Sequence, residues 1–154
     1  MRNLLLLLLY ILIIPGCKKD DTPQNQQANN AVKNAALLEG TWKVSAVVSD
    51  KAFDVDGNGT AETDLYSASP NCARQFALTF ISGGTGYVRP DCVTAERSMT
   101  WNLTNDGNTI NYTLSGTGTL QEDIVILNAT TLKTTSKLQR SGETYTLSNT
   151  YTKQ

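Results

Sequence analysis

From about residue 40 onward the apolar residues of this chain recur at every second position. Trp42, Val44, Ala46 and Val48 alternate with polar residues, as do Phe76, Leu78 and Phe80. The same period runs through Met99, Trp101 and Leu103, then Ile110, Tyr112 and Leu114. Ile124 and Ile126 follow on a segment where Val125 and Leu127 are apolar too; Leu132 to Leu138 is a weaker run, and Tyr145, Leu147 and Tyr151 close the series. Period two turns successive side chains to opposite faces, so each run is a strand with one buried face. Turn chemistry separates the runs: Ser82-Gly83-Gly84, Asn105-Asp106-Gly107-Asn108, Ser115 to Gly118 and Ser141-Gly142. With a short strand near Thr85 to Arg89, about eight strands result, a number that suits an antiparallel meander, closed as a barrel or folded as a sandwich. Closure into a barrel is favoured over an open sheet because it removes both unpaired edges. Before the first strand, Asn30 to Leu38 places Ala31, Ala35 and Leu38 near one face and reads as one short helix.

The chain starts differently. Arg2 precedes an apolar run from Leu4 to Ile14, too short to cross a bilayer as a helix but suited to a signal peptide. The run ends Ile14-Pro15-Gly16-Cys17, which resembles the lipobox of bacterial lipoproteins. That resemblance implies cleavage before Cys17, acylation of Cys17 and attachment to a lipid membrane. Lys18-Lys19-Asp20-Asp21 resembles a signal for display at the surface of Gram-negative cells, so the expected location is the outer membrane. Thr22 to Asn30 is polar, has no apolar period and reads as linker. The expected organisation is a signal peptide at 1–16, a lipidated Cys and tether at 17–34, and one β-barrel domain at 35–154.

Absent residues narrow the chemistry. There is no histidine, and net charge is −1. No Ser-His-Asp or Cys-His device can be built, and no imidazole zinc site. An enzyme is not expected, nor an organic cofactor, and no basic patch points to nucleic acid. Glu122 and Asp123 are adjacent on a strand and should face opposite ways, which argues against a catalytic carboxylate pair. With Cys17 consumed by lipid, Cys72 and Cys92 remain in an oxidising compartment and are expected to bond. They flank the hairpin at Ser82–Gly84 almost symmetrically. Closing a loop of about 20 residues contributes on the order of 3 kcal/mol.

Asp54-Val55-Asp56-Gly57-Asn58-Gly59-Thr60 has the alternate oxygen donors of a calcium loop. Asp54, Asp56 and Asn58 would offer side chains, Thr60 its carbonyl, and Glu62 or Asp64 would complete the shell. Leu65 stands where an EF-hand carries its bidentate Glu, so this would be a Ca²⁺ loop outside an EF-hand.

Leu38-Glu39-Gly40-Thr41-Trp42, the Asp/Gly-rich loop ending Thr63-Asp64, the pair Cys72 and Cys92, and Thr150-Tyr151-Thr152 occur in that order. Together they resemble the lipocalin-like lipoproteins of bacteria. The resemblance implies an all-β, eight-stranded, antiparallel up-and-down barrel with a short N-terminal helix. Gly40 and Trp42 would form its closed floor, and the connection from about Asp50 to Ala73 its lid. Lipocalins also carry an arginine near the floor tryptophan, which the sequence does not place here. Two functions stay open: a barrel that holds a small apolar ligand, or a filled barrel whose mouth loops bind a protein or glycan. Nothing in the sequence sets an oligomeric state.

Overall fold

The computed structural model describes residues 23–154 apart from Asp91, Val93, Thr94 and Thr117, with side chains from Asn30 onward. The expected signal peptide, Cys17 and the Lys18–Asp21 segment lie outside the described residues. Helix α1 spans Pro23–Leu38, and nine strands follow: β1 Gly40–Phe53, β2 Glu62–Asp64, β3 Ala77–Ile81, β4 Thr85–Arg89, β5 Arg97–Thr104, β6 Thr109–Leu114, β7 Thr119–Leu127, β8 Thr131–Arg140 and β9 Glu143–Lys153. A one-turn helix α2, Leu65–Ala68, sits between β2 and β3. The helix thus begins seven residues earlier than the sequence pattern implies, inside the stretch read as linker. Pro23 suits a first helical position, where its missing N–H costs nothing.

All strand pairings are antiparallel: β1 pairs with both β2 and β3, β3 to β9 pair in chain order, and β1 also pairs with β9. Strands β1 and β3–β9 therefore close an eight-stranded up-and-down barrel, with β2 as an extra strip on the outer stretch of β1. This is the expected fold.

One end of the barrel is sealed. The Trp42 side chain is fully buried, and its indole N–H donates to the Leu38 carbonyl at 2.6 Å. The Lys153 ammonium lies 5.0 Å from the Trp42 ring centroid and donates to the Leu37 carbonyl at 3.0 Å. The cation at the floor is thus a C-terminal lysine, supplied by the last residues of β9. Gly40 has φ +118, and a Cβ there would approach Lys153 Cε to 2.8 Å, so glycine is what lets the lysine cross the floor. Helix α1 covers this end by packing on the β5–β6 turn. The Asn34 amide donates to the Gly107 carbonyl at 3.0 Å, and a Cβ on Gly107 would come within 2.6 Å of Ala31 Cα. Asn105 and Asp106 take positive φ in that turn, a conformation these side chains tolerate.

Above the floor the barrel is filled by Leu78, Phe80, Val88, Met99, Trp101, Ile110 and Leu132, all buried. Phe80 and Trp101 meet edge to face at 5.3 Å between ring centroids. The Trp101 indole N–H reaches the Thr85 carbonyl at 2.8 Å and the Ile81 carbonyl at 3.1 Å, so no polar atom of that ring is stranded. A smaller cluster of Phe53, Leu65 and Tyr145 sits at the other end, where β1, β8 and β9 extend past the shorter strands.

Two irregularities correct the sequence pattern. The β1–β9 register shifts between Val44 and Ala46, so the inward series is Trp42, Val44, Val47 and Ser49. Ala46 is not an inward residue, and Val48 is exposed. The β7–β8 register shifts between Ile124 and Ile126; Val125 and Ile126 are exposed while Leu127 is partly buried. One inserted residue reverses the facing of everything beyond it, and it explains why β7 reads as apolar on both faces.

Candidate functional site

Away from the floor the barrel is not filled. Strand β1 pairs with β3 only from Gly40 to Lys43; the last link is the Val44 amide to the Phe76 carbonyl at 3.0 Å. On the far wall, β7 and β8 pair only as far as Asp123 with Thr135, so 119–122 and 136–140 diverge. Between these two openings lies a cavity of about 340 Å³. Its apolar wall is Val44, Val47, Phe76 and Leu147. Tyr66 and Arg74 line it from the connection between β1 and β3, the lid expected from the sequence.

The lid is held in several ways. Cys72 and Cys92 form a disulfide with 4.5 Å between Cα atoms, tying the lid to the β4–β5 connection, as expected. Arg74 donates to the Ser67 carbonyl at 2.5 Å and the Ser69 carbonyl at 3.2 Å, and its guanidinium lies 5.5 Å from the Tyr66 ring centroid. Asp64 caps α2: its two carboxylate oxygens accept from the Ser67 amide at 3.0 Å and hydroxyl at 2.7 Å. The Ser67 hydroxyl and amide hold the Asp64 carboxyl below its ordinary value.

At the inner end of the cavity is Glu122, only 5% exposed. It points inward and Asp123 outward, where the latter accepts from the Thr109 hydroxyl at 2.8 Å. Glu122 Oε1 accepts from the Tyr112 hydroxyl at 2.8 Å and the Tyr151 hydroxyl at 3.1 Å. Thr134 donates to Oε2. Among the described residues no lysine or arginine forms an ion pair with this carboxylate; the one ion pair there joins Arg89 to Glu96 at 3.1 Å, both exposed. Burial, with the Glu122 charge beside them, pushes the hydroxyls of Tyr112 and Tyr151 well above the ordinary tyrosine value. Ser136 and Asn149 complete the polar end, with the Asn149 amide donating to the Ser136 hydroxyl at 3.2 Å. Sequence reading did not single out Glu122 as a site residue, although its phase with Ile124 on β7 places it inside.

The Asp-rich loop is a separate place. Carboxylate oxygens of Asp54, Asp56 and Glu62 lie within 4.8 Å of one another. Asp54 accepts the amides of Gly57 at 2.6 Å, Asn58 at 3.1 Å and Gly59 at 2.8 Å. The Gly59 amide, with those of Gly57 and Asn58, holds the Asp54 carboxyl below its ordinary value. The Asn58 side chain accepts the Thr60 amide at 2.7 Å and donates to Asp56 at 3.0 Å. Glu62 Oε2 is buried with no hydrogen-bond partner among the described residues. Asp64 is outside this group, its carboxylate engaged by Ser67.

A family model described as a lipocalin-like domain matches residues 38–134. Among solved structures, a deswapped triple mutant of bovine odorant binding protein is 20% identical, with TM-score 0.44, covering 77% of this chain and 74% of that one. Bovine odorant binding protein with a selenium-containing odorant is 17% identical, with TM-score 0.45, covering 78% and 72%. The same bovine protein with undecanal is 19% identical, with TM-score 0.43, covering 76% and 71%. Comparison with curated protein sequences gives no match.

The two raised tyrosines make stability depend on pH at the alkaline end. Each ordinarily titrates near 10.0 but stays protonated in the fold beyond that point. Their contribution is complete below about pH 10 and is lost as pH rises past it, since the unfolded chain then releases protons that the folded chain keeps. Urea unfolding at a series of pH values should show the unfolding free energy falling above about pH 10. Tyr151→Phe should reduce that slope by about 1.4 kcal/mol per pH unit. An unchanged slope in the variant would contradict the assignment.

Proposed function

The chain belongs to the lipocalin-like domain family, and we propose that its barrel is a binding site for one small ligand with an apolar body. The cavity of about 340 Å³ carries this reading. It lies in the range of small-molecule sites and has the usual composition, an apolar wall with a few convergent polar groups. The lid across it is pinned by a disulfide and by Arg74, so much of the cost of ordering a binding site is met before a ligand arrives. The packed lower half supports the rival reading of a filled barrel only for that half. Binding, not catalysis, is the activity proposed.

The proposed location is the outer membrane, with Cys17 acylated. The Ile14–Cys17 lipobox supports it. Among the described residues no helix is long and apolar enough to cross a membrane. The floor, where the chain enters the barrel, would then face the anchor, and the cavity mouth would face away.

A second reading concerns the Asp-rich loop, which we propose binds Ca²⁺ through Asp54, Asp56 and Glu62, with Asn58 and Thr60 as further oxygen donors. The partnerless Glu62 Oε2 beside two converging carboxylates favours it.

Three measurements check these proposals. Titration with the neutral fluorophore N-phenyl-1-naphthylamine should show saturable binding at one site, weakened about tenfold, or 1.4 kcal/mol, by Val47→Phe, which narrows the cavity. Unsaturable binding, or none, would leave the mouth loops as the interaction surface. Metabolic labelling with a radioactive fatty acid should mark the chain expressed from its full sequence in a Gram-negative host, and Cys17→Ser should abolish the label. Calorimetric titration with CaCl₂ should give one site of sub-millimolar affinity that disappears in Asp56→Asn and Glu62→Gln. Equal heats in the variants would remove the ion from the account.

A further inference from the structure

The polar end of the cavity carries a carboxylate together with the acceptor oxygens of Ser136 and Asn149. Glu122 is a buried carboxylate whose partners are three hydroxyls, those of Tyr112, Tyr151 and Thr134. Hydroxyls donate hydrogen bonds but bring no charge, so one negative charge stays uncompensated inside the barrel. Burying a charge without a counter-charge is costly, and a cation that arrives there recovers much of that cost. The Tyr151 hydroxyl reaches both carboxylate oxygens, Oε1 at 3.1 Å and Oε2 at 3.3 Å, so its single proton serves one of them at a time and an arriving donor can take the other place. Neighbouring groups point the same way. The Asn149 amide nitrogen donates to Ser136, so the acceptor that this side chain has to offer is its carbonyl oxygen. Glu122, Ser136, Asn149 and Tyr151 all line the one cavity. Glu122 also sits just beyond Asp123–Thr135, the last β7–β8 pair, where the wall opens and the cavity starts.

The charge at the other end does not cancel this one. Arg74 lies in the lid, donates to two carbonyls of that lid, and has Asp64 as its nearby countercharge. The cavity therefore has an apolar middle of Val44, Val47, Phe76 and Leu147, and an anionic inner end.

From this we infer that the ligand is a cation: a protonated primary amine on an apolar body, its ammonium group bound to Glu122 with Asn149 and Ser136 as further acceptors. An ammonium presents three donors, matching three acceptor groups at the cavity end. The inference rests on the ligand-binding reading above and sharpens it to a ligand class.

The test compares ligands of one shape and different charge. Calorimetric titration of the full barrel, lid disulfide intact, would use 3-phenylpropylamine, neutral butylbenzene and anionic 4-phenylbutyrate. The amine should bind on the order of tenfold more tightly than the neutral compound, and the acid more weakly than either. Glu122→Gln keeps the size of the side chain and removes its charge, so the amine should lose its advantage over the neutral compound measured on the same variant. Should Glu122→Gln fail to fold, the order of the three ligands on the unsubstituted protein decides alone. Butylbenzene binding as well as the amine would overturn the inference and leave the apolar-ligand reading standing. So would an amine preference that survives Glu122→Gln. Binding of none of the three, together with failure of the neutral fluorophore, would overturn both.

Discussion

Strand β1 is shared by two neighbours unequally, and most of what distinguishes the two ends of this barrel follows from that. It stays with β9 from Trp42 to Ser49 but leaves β3 after Lys43. Where both neighbours are present the barrel is narrow, the interior is filled by aromatic and branched side chains, and Trp42 is fully enclosed. Where β3 is lost, the wall must be completed by something else. The connection between β1 and β3 does so by adding β2 to the freed edge and laying α2 beside it. Unpaired strand edges are costly when buried, so the lid is a structural necessity before it is a functional one. The cavity is the space that this substitution leaves.

The floor and the lid solve different problems. At the floor one indole is fixed by a carbonyl on one side and an ammonium over its face, and both partners come from the ends of the domain: Leu38 before β1 and Lys153 at the end of β9. That arrangement ties the two termini of the barrel together without a covalent bond. At the mouth, where apolar packing is reduced to Phe53, Leu65 and Tyr145, the covalent Cys72–Cys92 bridge fixes the lid instead. A site held this way can be roomy and still well ordered.

Among the described residues Glu122 is the one acidic side chain in the buried core, and its neighbours are arranged to tolerate it. Tyr112 and Thr134 come from β6 and β8, which flank β7 in the sheet, and Tyr151 comes from β9, one strand further on. A network of this kind is stabilising only while complete, since each hydroxyl left unpaired beside the charge would lose its partner in a low-dielectric interior. It fixes one rotamer of Glu122 and with it the position of the charge that the cavity presents.

Alternation and turn residues, which are local signals, were sufficient to mark the eight barrel strands but not β2. The up-and-down order and the closed floor were implied by the family resemblance, and the Cys72–Cys92 pairing by the two cysteines that remain besides Cys17. Helix α1 was legible only in its second half, since Pro23 to Asn29 lacks an apolar face to read. The facing of Ala46, Val48, Val125 and Ile126 was not legible. Each follows a register shift, and a bulge is set by how a strand is paired rather than by its own residues. The Asp-rich loop was visible as a set of oxygen donors, but that Asp64 would turn away to cap α2 depended on the helix that follows. The phase of β7 alone could put Glu122 inside the barrel. What surrounds it there, and the cavity beside it, came from the tertiary structure, because only the curvature of the sheet brings Tyr151, two strands away on β9, onto a side chain of β7.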